Sequence, residues 1–336
     1  MSSPPPLTEP CPLCGVVMDV SQLEVFSLVC CPGCGSDVRV RTRLGSFLLT
    51  DLLGRGGSGC VYKAVPLSGK LWIRNPGFLG SIGLSWKSHR EVALKVVAPD
   101  SADHGDDLAM LLNEVRSAKR IRCDRVVRVL SHEEDAEGAR MAMELMDCGS
   151  LHDMIASATM LDERRLITTA LDIIEALEAI SRGGMVHGDL KPANILFENS
   201  GRAKLSDFGL ARPLRRDDGP SLGLHATPDY VAPEVLEGGR GDFRSDLYGL
   251  GGCLHYGLTG RPTHATDGLP LEVLREVKKK VAKIPPYRTD ISPDTIIVVN
   301  RMIEADPARR FGTPREARKA LLGAWKSMPE SRRGQA

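Results

Sequence analysis

Charge of one sign, aromatic residues and long apolar runs are all scarce in this 336-residue chain. Its 44 lysines and arginines meet 43 aspartates and glutamates, for a formal net charge of +1. No global field therefore favours nucleic acid or an anionic membrane as partner. Aromatic residues make up 4%, too few to suggest a surface that stacks on bases. No apolar run approaches the ~18 residues of a membrane-spanning helix. Residues 1–10 carry neither a basic n-region nor an apolar h-region, so no secretory signal is expected and a cytoplasmic location is. Apolar residues, at 42%, are ample for a core, and the length suits two domains or one large domain with an appendage.

Cysteine is plentiful but oddly placed. Of nine, five (Cys11, Cys14, Cys30, Cys31 and Cys34) crowd the start of the chain. An odd, clustered set argues against a secreted disulfide framework and for a metal site in a reducing compartment. Cys11-Pro-Leu-Cys14-Gly and Cys31-Pro-Gly-Cys34-Gly are separated by sixteen residues. Each puts two thiolates on one tight turn, with Gly15 and Gly35 letting the backbone fold back toward sulfur. Cys30 is read as a bystander. Four sulfurs at this spacing suit tetrahedral Zn2+, and the unit resembles a zinc ribbon. Rubredoxin-like iron and a redox dithiol pair are the rival readings. So short a unit builds little core, so metal is expected to hold it folded.

The organisation expected from composition is a Pro- and Ser-rich disordered lead at 1–10, a ribbon-like module at 11–43, a large domain at 44–325 and a frayed tail at 326–336. Strands are expected at 47–53 and 60–65 around a Gly-rich turn, then at 91–98, 126–131 and 140–146. Leu108, Leu111, Leu112, Val115 and Ala118 share one face of a helix expected over 108–122. A second amphipathic helix over 163–180 stops at Gly183-Gly184. Strands first and helices later predict an α+β fold with two lobes, about 44–146 and 147–325.

The chemistry concentrates in His187-Gly188-Asp189-Leu190-Lys191-Pro192-Ala193-Asn194, followed by Asp207-Phe208-Gly209. Two carboxylates, an amide and a lysine lie on two nearby loops, each behind a strand-like apolar run. Phosphoryl transfer from a metal-bound nucleotide needs such a set: one carboxylate to take the hydroxyl proton, the other and the amide for metal, the lysine for charge on the moving group. Upstream, Gly54, Gly56 and Gly59 form G-x-G-x-x-G. Such a turn lets backbone approach phosphate. A strand follows rather than a helix, which removes the main support for a dinucleotide site. Lys95 then sits on a strand and Glu114 mid-helix.

With these motifs in this order, residues 47–322 resemble the eukaryotic-type protein kinase family, its Ser/Thr branch in particular. The resemblance implies a two-lobed kinase fold, with an antiparallel β small lobe, a mainly α large lobe and the nucleotide between them. Its cofactors would be ATP with Mg2+ or Mn2+, and its substrates proteins. Asp189 is similar to the catalytic base, Lys191 to the lysine that steadies the γ-phosphate, and Asn194 and Asp207 to the metal ligands. Lys95 would contact the α- and β-phosphates while paired to Glu114. Residues 143–146 resemble the hinge, with Met143 as gatekeeper and Glu144 and Met146 reading adenine through backbone. Leu53 and Val61 would sandwich the adenine. Thr227 would bridge Asp189 and Lys191, Glu234 would pair with Arg310, and Asp246 would brace the catalytic loop.

Three features depart from the family pattern. Gly188 stands where many members carry an arginine that pairs with a phosphorylated activation loop, so weaker dependence on loop phosphorylation is expected, with Ser221 the remaining candidate site. The 66–90 connection is far longer than an ordinary hairpin loop, and is either a surface insertion or a docking surface made by its aromatic residues; the zinc module is expected to be a protein-docking or regulatory module. Gly249, Gly251, Gly252 and Gly257 fall inside an expected helix, at roughly 1 kcal/mol each against alanine. Two other readings remain: a nucleotide-binding pseudokinase scaffold, and a zinc-dependent nucleic-acid binder. Every catalytic position is filled, which opposes the first. The charge balance opposes the second.

Overall fold

The computed structural model describes residues 8–11, 14–19, 28–39, 42–56, 59–67, 91–97, 104–135, 138–158, 160–213, 227–264, 266, 268–280, 283–285 and 290–328. Most of the expected lead, nearly all of the 66–90 connection, Ser221 and most of the expected tail lie outside these residues. The chain divides into two compact units, one of residues 1–111 with 129–145 and one of 112–128 with 146–336.

In the first unit, β1 (Thr8–Pro10) pairs with β2 (Val17–Asp19), and β3 (Leu28–Cys30) with β4 (Asp37–Arg39), both antiparallel. Each hairpin carries one cysteine knuckle at its turn. Thr8–Pro10 therefore belongs to the ribbon and not to a disordered lead. Its register sets Glu9 opposite Met18, which is buried with Cys11 and Cys31 in the ribbon's small core. A strand this short tolerates Pro10 at its end, where the missing N–H interrupts no ladder.

A six-stranded antiparallel sheet follows, built from β5 (Thr42–Leu44), β6 (Phe47–Gly56), β7 (Gly59–Pro66), β8 (Val92–Val97), β9 (Val129–Asp135) and β10 (Gly138–Glu144), in the order β5-β6-β7-β8-β10-β9. One face packs Phe47, Leu49, Ala64, Val92, Leu94, Leu130 and Ala142 into a core. Alternation along β8 turns Ala93 and Lys95 to the other face. β5 corrects the expected boundary at residue 43, because Thr42–Leu44 pairs with Phe47–Leu49 and extends the sheet. The connecting turn holds Gly45 at φ 55, with the guanidinium of buried Arg140 where a Cβ would go. The strand expected at 126–131 begins instead at Val129, and Val126 forms a lone bridge to Leu205.

Helix α1 (His104–Arg120) starts earlier than its apolar face suggests, because Asp106 and Asp107 favour its N-terminal dipole end and Lys119 and Arg120 the other. It passes from the first unit into the second. There, α2 (Leu151–Ala158) and α3 (Glu163–Arg182) follow; Asp162 caps α3 by accepting from Arg165 N, and Gly183 ends it. Two hairpin-like pairs come next, β11 (Met185–Val186) with β14 (Arg212–Pro213) and β12 (Ile195–Phe197) with β13 (Ala203–Leu205). The remainder is helical: α4 (Pro233–Leu236), α5 (Phe243–Thr259), α6 (Leu271–Lys279), α7 (Pro293–Met302) and α8 (Pro314–Ser327). α8 runs two residues into the expected tail, docked by buried Ala324 and Met328. Among the described residues no helix is long and apolar enough to cross a membrane.

Candidate active site

The first unit contributes a glycine turn and a lysine. The β6–β7 register pairs Gly54 with Val61 and Gly56 with Gly59. Gly59 takes φ 120, and a Cβ there would strike the carbonyl of Val96, so only glycine lets the two strands approach. Gly54 has open space beside it. Lys95 is the cross-strand partner of both Val61 on β7 and Met141 on β10. Directly opposed residues share a sheet face, so Val61, Lys95 and Met141 lie together on the face away from the core cluster. Met143 is buried beside Ala93 on that face, and Glu144 closes β10. Leu53, in the bulge between Leu52 and Gly54, is 49% exposed.

The second unit contributes the loop after β11 and the segment after β13. The β12–β13 register places Ile195 opposite Leu205, and Ser206 N donates to Asn194 O at 2.9 Å. Asn194 and Asp207, thirteen positions apart, are thereby brought to the same end of one hairpin. Asp189 is nearly buried. Its Oδ2 receives Lys191 Nζ at 2.6 Å, and its Oδ1 faces Thr227, whose N and Oγ1 donate from 3.3 and 3.4 Å. Thr227 thus meets Lys191 through the two oxygens of Asp189. Asn194 Nδ2 donates to Asp189 O at 2.8 Å and to its Oδ2 at 3.3 Å. With the amide nitrogen so committed, the carboxamide oxygen is the donor left for a metal. Together with the Asp207 carboxylate this is a hard-oxygen set, the kind Mg2+ takes.

Asp246, near the start of α5, braces the loop from below. Its carboxylate accepts from His187 N at 2.8 Å and Gly188 N at 2.9 Å. Burial pushes its carboxyl above the ordinary range, and the neighbouring His187 ring with those two amides pulls it back. Gly188 adopts φ 85, and a Cβ there would lie 3.0 Å from Leu210 O. In this chain the position where many family members carry arginine has a backbone that favours glycine. Glu234 on α4 and Arg310 form a bidentate pair at 2.7 and 2.8 Å. Arg310 is buried and also donates to Glu304 O, Ala305 O and Arg244 O. The structure places Glu114 in the second unit and Lys95 in the first, both buried. Met146 opens the second unit's long segment.

Asn113 and Lys278 carry no motif, so sequence reasoning passed over both. Asn113 on α1 donates to backbone carbonyls just after Asp207. Lys278 on α6 is fully buried and donates to Asp229 O at 2.5 Å, two residues past Thr227. Only partners 49 to 98 positions away reveal these roles.

The ribbon brings Cys11, Cys14, Cys31 and Cys34 together, with their sulfurs all within 4.8 Å of one another. Cys11 and Cys34 sulfurs are 3.8 Å apart, and those of Cys14 and Cys31 3.5 Å. A tetrahedron with metal–sulfur bonds of ~2.3 Å has edges of about 3.8 Å, so the four fit one metal. The two knuckles repeat one construction: Gly15 N donates to Cys11 O and Gly35 N to Cys31 O, with both glycines at positive φ. Hydrogen bonds from Ser36 pull the Cys34 thiol down to about 6, whereas Cys14, despite a backbone bond to Val16, is pushed up to about 12 by burial and the neighbouring thiols; four thiols this close do not titrate independently. Cys30 is exposed and turned to Gly35 O.

Comparison with known proteins gives a consistent result. A family model described as "Protein kinase domain" matches residues 80–324. A probable serine/threonine-protein kinase of Streptomyces coelicolor is 29% identical over 82% of this chain and 39% of its own length. A serine/threonine-protein kinase of Corynebacterium efficiens is 31% identical over 74% of this chain and 49% of its own. Serine/threonine-protein kinase PknB of Mycolicibacterium smegmatis is 31% identical over 70% and 39%. The chain thus spans less than half the length of these relatives.

Proposed function

This chain belongs to the protein kinase family, and we propose that it acts as a serine/threonine kinase that transfers the γ-phosphate of MgATP to protein hydroxyls. One observation carries the reading: the buried Asp189 carboxylate held between Lys191 and Thr227, with Asn194 bonded to the same residue. Asp189 orients the accepting hydroxyl and takes its proton. Lys191 offsets charge on the transferring group, and Thr227 keeps the base in position. Asn194 and Asp207 hold the divalent metal, which when bound neutralises phosphate charge. Lys95 takes the α- and β-phosphates. Gly54, Gly56 and Gly59 admit the phosphates, Leu53 and Val61 cover the adenine, and backbone at Glu144 and Met146 reads its edge. The four ribbon cysteines hold Zn2+ in a structural role, and the ribbon serves protein docking.

The test compares MgATP-dependent phosphorylation of the chain itself and of a generic basic protein with the Asp189→Asn and Lys95→Met variants. Loss of a general base costs ~100-fold or more. Equal signal from all three proteins would mean a contaminant and would end this reading. Because Gly188 offers no guanidinium to a loop phosphate, phosphatase-treated protein should keep its turnover. Inert protein revived by phosphorylation between Asp207 and Glu234 would overturn that part.

A further inference from the structure

Asn113 lies one residue before Glu114, on the part of α1 that belongs to the second unit. Its Nδ2 donates to Ala211 O at 2.7 Å and Gly209 O at 3.0 Å, and reaches Phe208 O at 3.5 Å. A carboxamide has two N–H groups, so the two short bonds use both and the third acceptor shares one. All three carbonyls belong to the four residues that follow Asp207. The donor comes from a helix 95 to 98 positions upstream.

Those residues have reason to need an outside hold. Asp207 has φ 63, alone among the described non-glycine residues in taking a positive value. A side-chain-bearing residue is strained in that region and persists where the surroundings over-determine it. Within the segment, Ala211 N donates to Phe208 O at 3.0 Å and Gly209 N reaches Asp207 Oδ1 at 3.4 Å. The Phe208 ring sits edge-on against His187, centroids 4.9 Å apart. These contacts come from the segment itself or from the catalytic loop. Asn113 adds a hold from a separate, rigid element, and spends its whole donor capacity on it.

We propose that Asn113 is a positioning residue whose carboxamide clamps backbone 208–211, so that Asp207 presents its carboxylate to the nucleotide-bound metal. Metal affinity then depends on α1 through this one side chain. The proposal rests on the reading of Asp207 as a metal ligand. Asn113 touches neither nucleotide nor metal, and acts only through the geometry of Asp207. Outer-shell partners of this kind typically alter metal affinity by about ten- to a hundredfold.

The test uses the full chain with Asn113→Leu, which has similar bulk and no donors, and Asn113→Asp, which has the same shape with acceptors where donors stood. Mg2+-dependent binding of ADP is followed by calorimetry. In parallel, the Mg2+ concentration for half-maximal phosphorylation and the KM for protein substrate are measured. Both variants should require about tenfold more Mg2+ in both assays, with Asp worse than Leu because a carboxylate repels the carbonyls. Saturating Mg2+ should restore the parent velocity, and KM for protein substrate should stay unchanged. A lowered melting temperature with unchanged Mg2+ dependence would reduce Asn113 to a packing role and overturn the proposal. So would a velocity loss that Mg2+ does not rescue. If the parent binds MgADP but transfers no phosphate, the functional reading fails, and the calorimetric comparison still decides the role of Asn113.

Discussion

At the residue scale, what matters is which groups the fold places where water cannot reach. Lys278 is the extreme case. Its ammonium is fully buried against Asp229 O and lies 5.3 Å from the centre of the Tyr248 ring. The Asp229 carboxylate faces it, itself bonded by Thr266 Oγ1, and His264 stands nearby. Desolvation depresses the lysine to about 7, against a smaller upward pull from Asp229. Between pH 7 and 10.5 the unfolded chain therefore holds a proton that the folded chain has lost. Stability from this group rises with pH across that window, and the penalty is fully present below it. Lys278→Met removes the term. Between pH 7 and 9 the parent should gain about 2 kcal/mol relative to the variant in urea unfolding; parallel pH profiles would show the lysine is not desolvated. Neither Lys278 nor Asn113 was legible in the sequence, because each is an ordinary polar residue on a helix until its distant partner is known. Asp189, Lys191, Asn194 and Asp207 stand out in the sequence because their short-range spacing is itself what phosphoryl transfer would need.

At the scale of elements, α5 shows why four glycines occupy a helix. A Cβ at Gly251 would lie 2.6 Å from Met302 Cβ, and one at Gly257 2.6 Å from Leu166 Cδ2. One at Gly249 would press within 2.8 Å of Leu190 O, beside the catalytic loop, and one at Gly252 within 3.3 Å of the Tyr230 ring. The helix is buried along nearly its whole length, and its glycines let α3, α7 and the catalytic loop come close. Gly323 on the exposed face of α8 is the contrast, with nothing within 4 Å of a Cβ there. Gly251→Ala should therefore cost about 1–3 kcal/mol by overpacking. Gly323→Ala should add up to about 1 kcal/mol by helix propensity alone. Thermal unfolding of both distinguishes the two, and a stabilised Gly251→Ala would refute the close-packing account. The helices themselves were readable from apolar period and end signals, as α3 shows with Gly183 at its close. The reason for the α5 glycines was not, since it resides on other elements.

At the scale of the whole chain, the ribbon and the larger domain are stabilised by different means. The six-stranded sheet and the helices bury extensive apolar cores. Among the described residues, the ribbon buries a cluster of Cys11, Met18 and Cys31 with Val29 against it, while Val17 and Leu28 are 62% and 65% exposed. A unit of some thirty residues has little room for a core that offsets the entropy of ordering it, and a metal bound by the four cysteines would supply the difference. A strong chelator should release about one zinc per chain and free the four thiols. Limited proteolysis should then cut within 11–39 and leave a fragment beginning near Thr42, since β5 is already part of the sheet. Identical cleavage before and after chelation would sink this account, and iron in the metal analysis would reassign the site.

The sequence by itself determined the kinase fold and the four-cysteine unit, and singled out the candidate catalytic and metal-binding positions. In each, the chemistry demands particular residue types at fixed local spacing, and local spacing survives in one dimension. Only the tertiary structure decided that β5 extends the sheet, that Gly188 takes a left-handed backbone beneath Leu210, and that Asn113 reaches the carbonyls after Asp207. Those outcomes depend on distances between segments tens of residues apart, set by packing that minimises buried unpaired groups and voids rather than by any pattern along the chain.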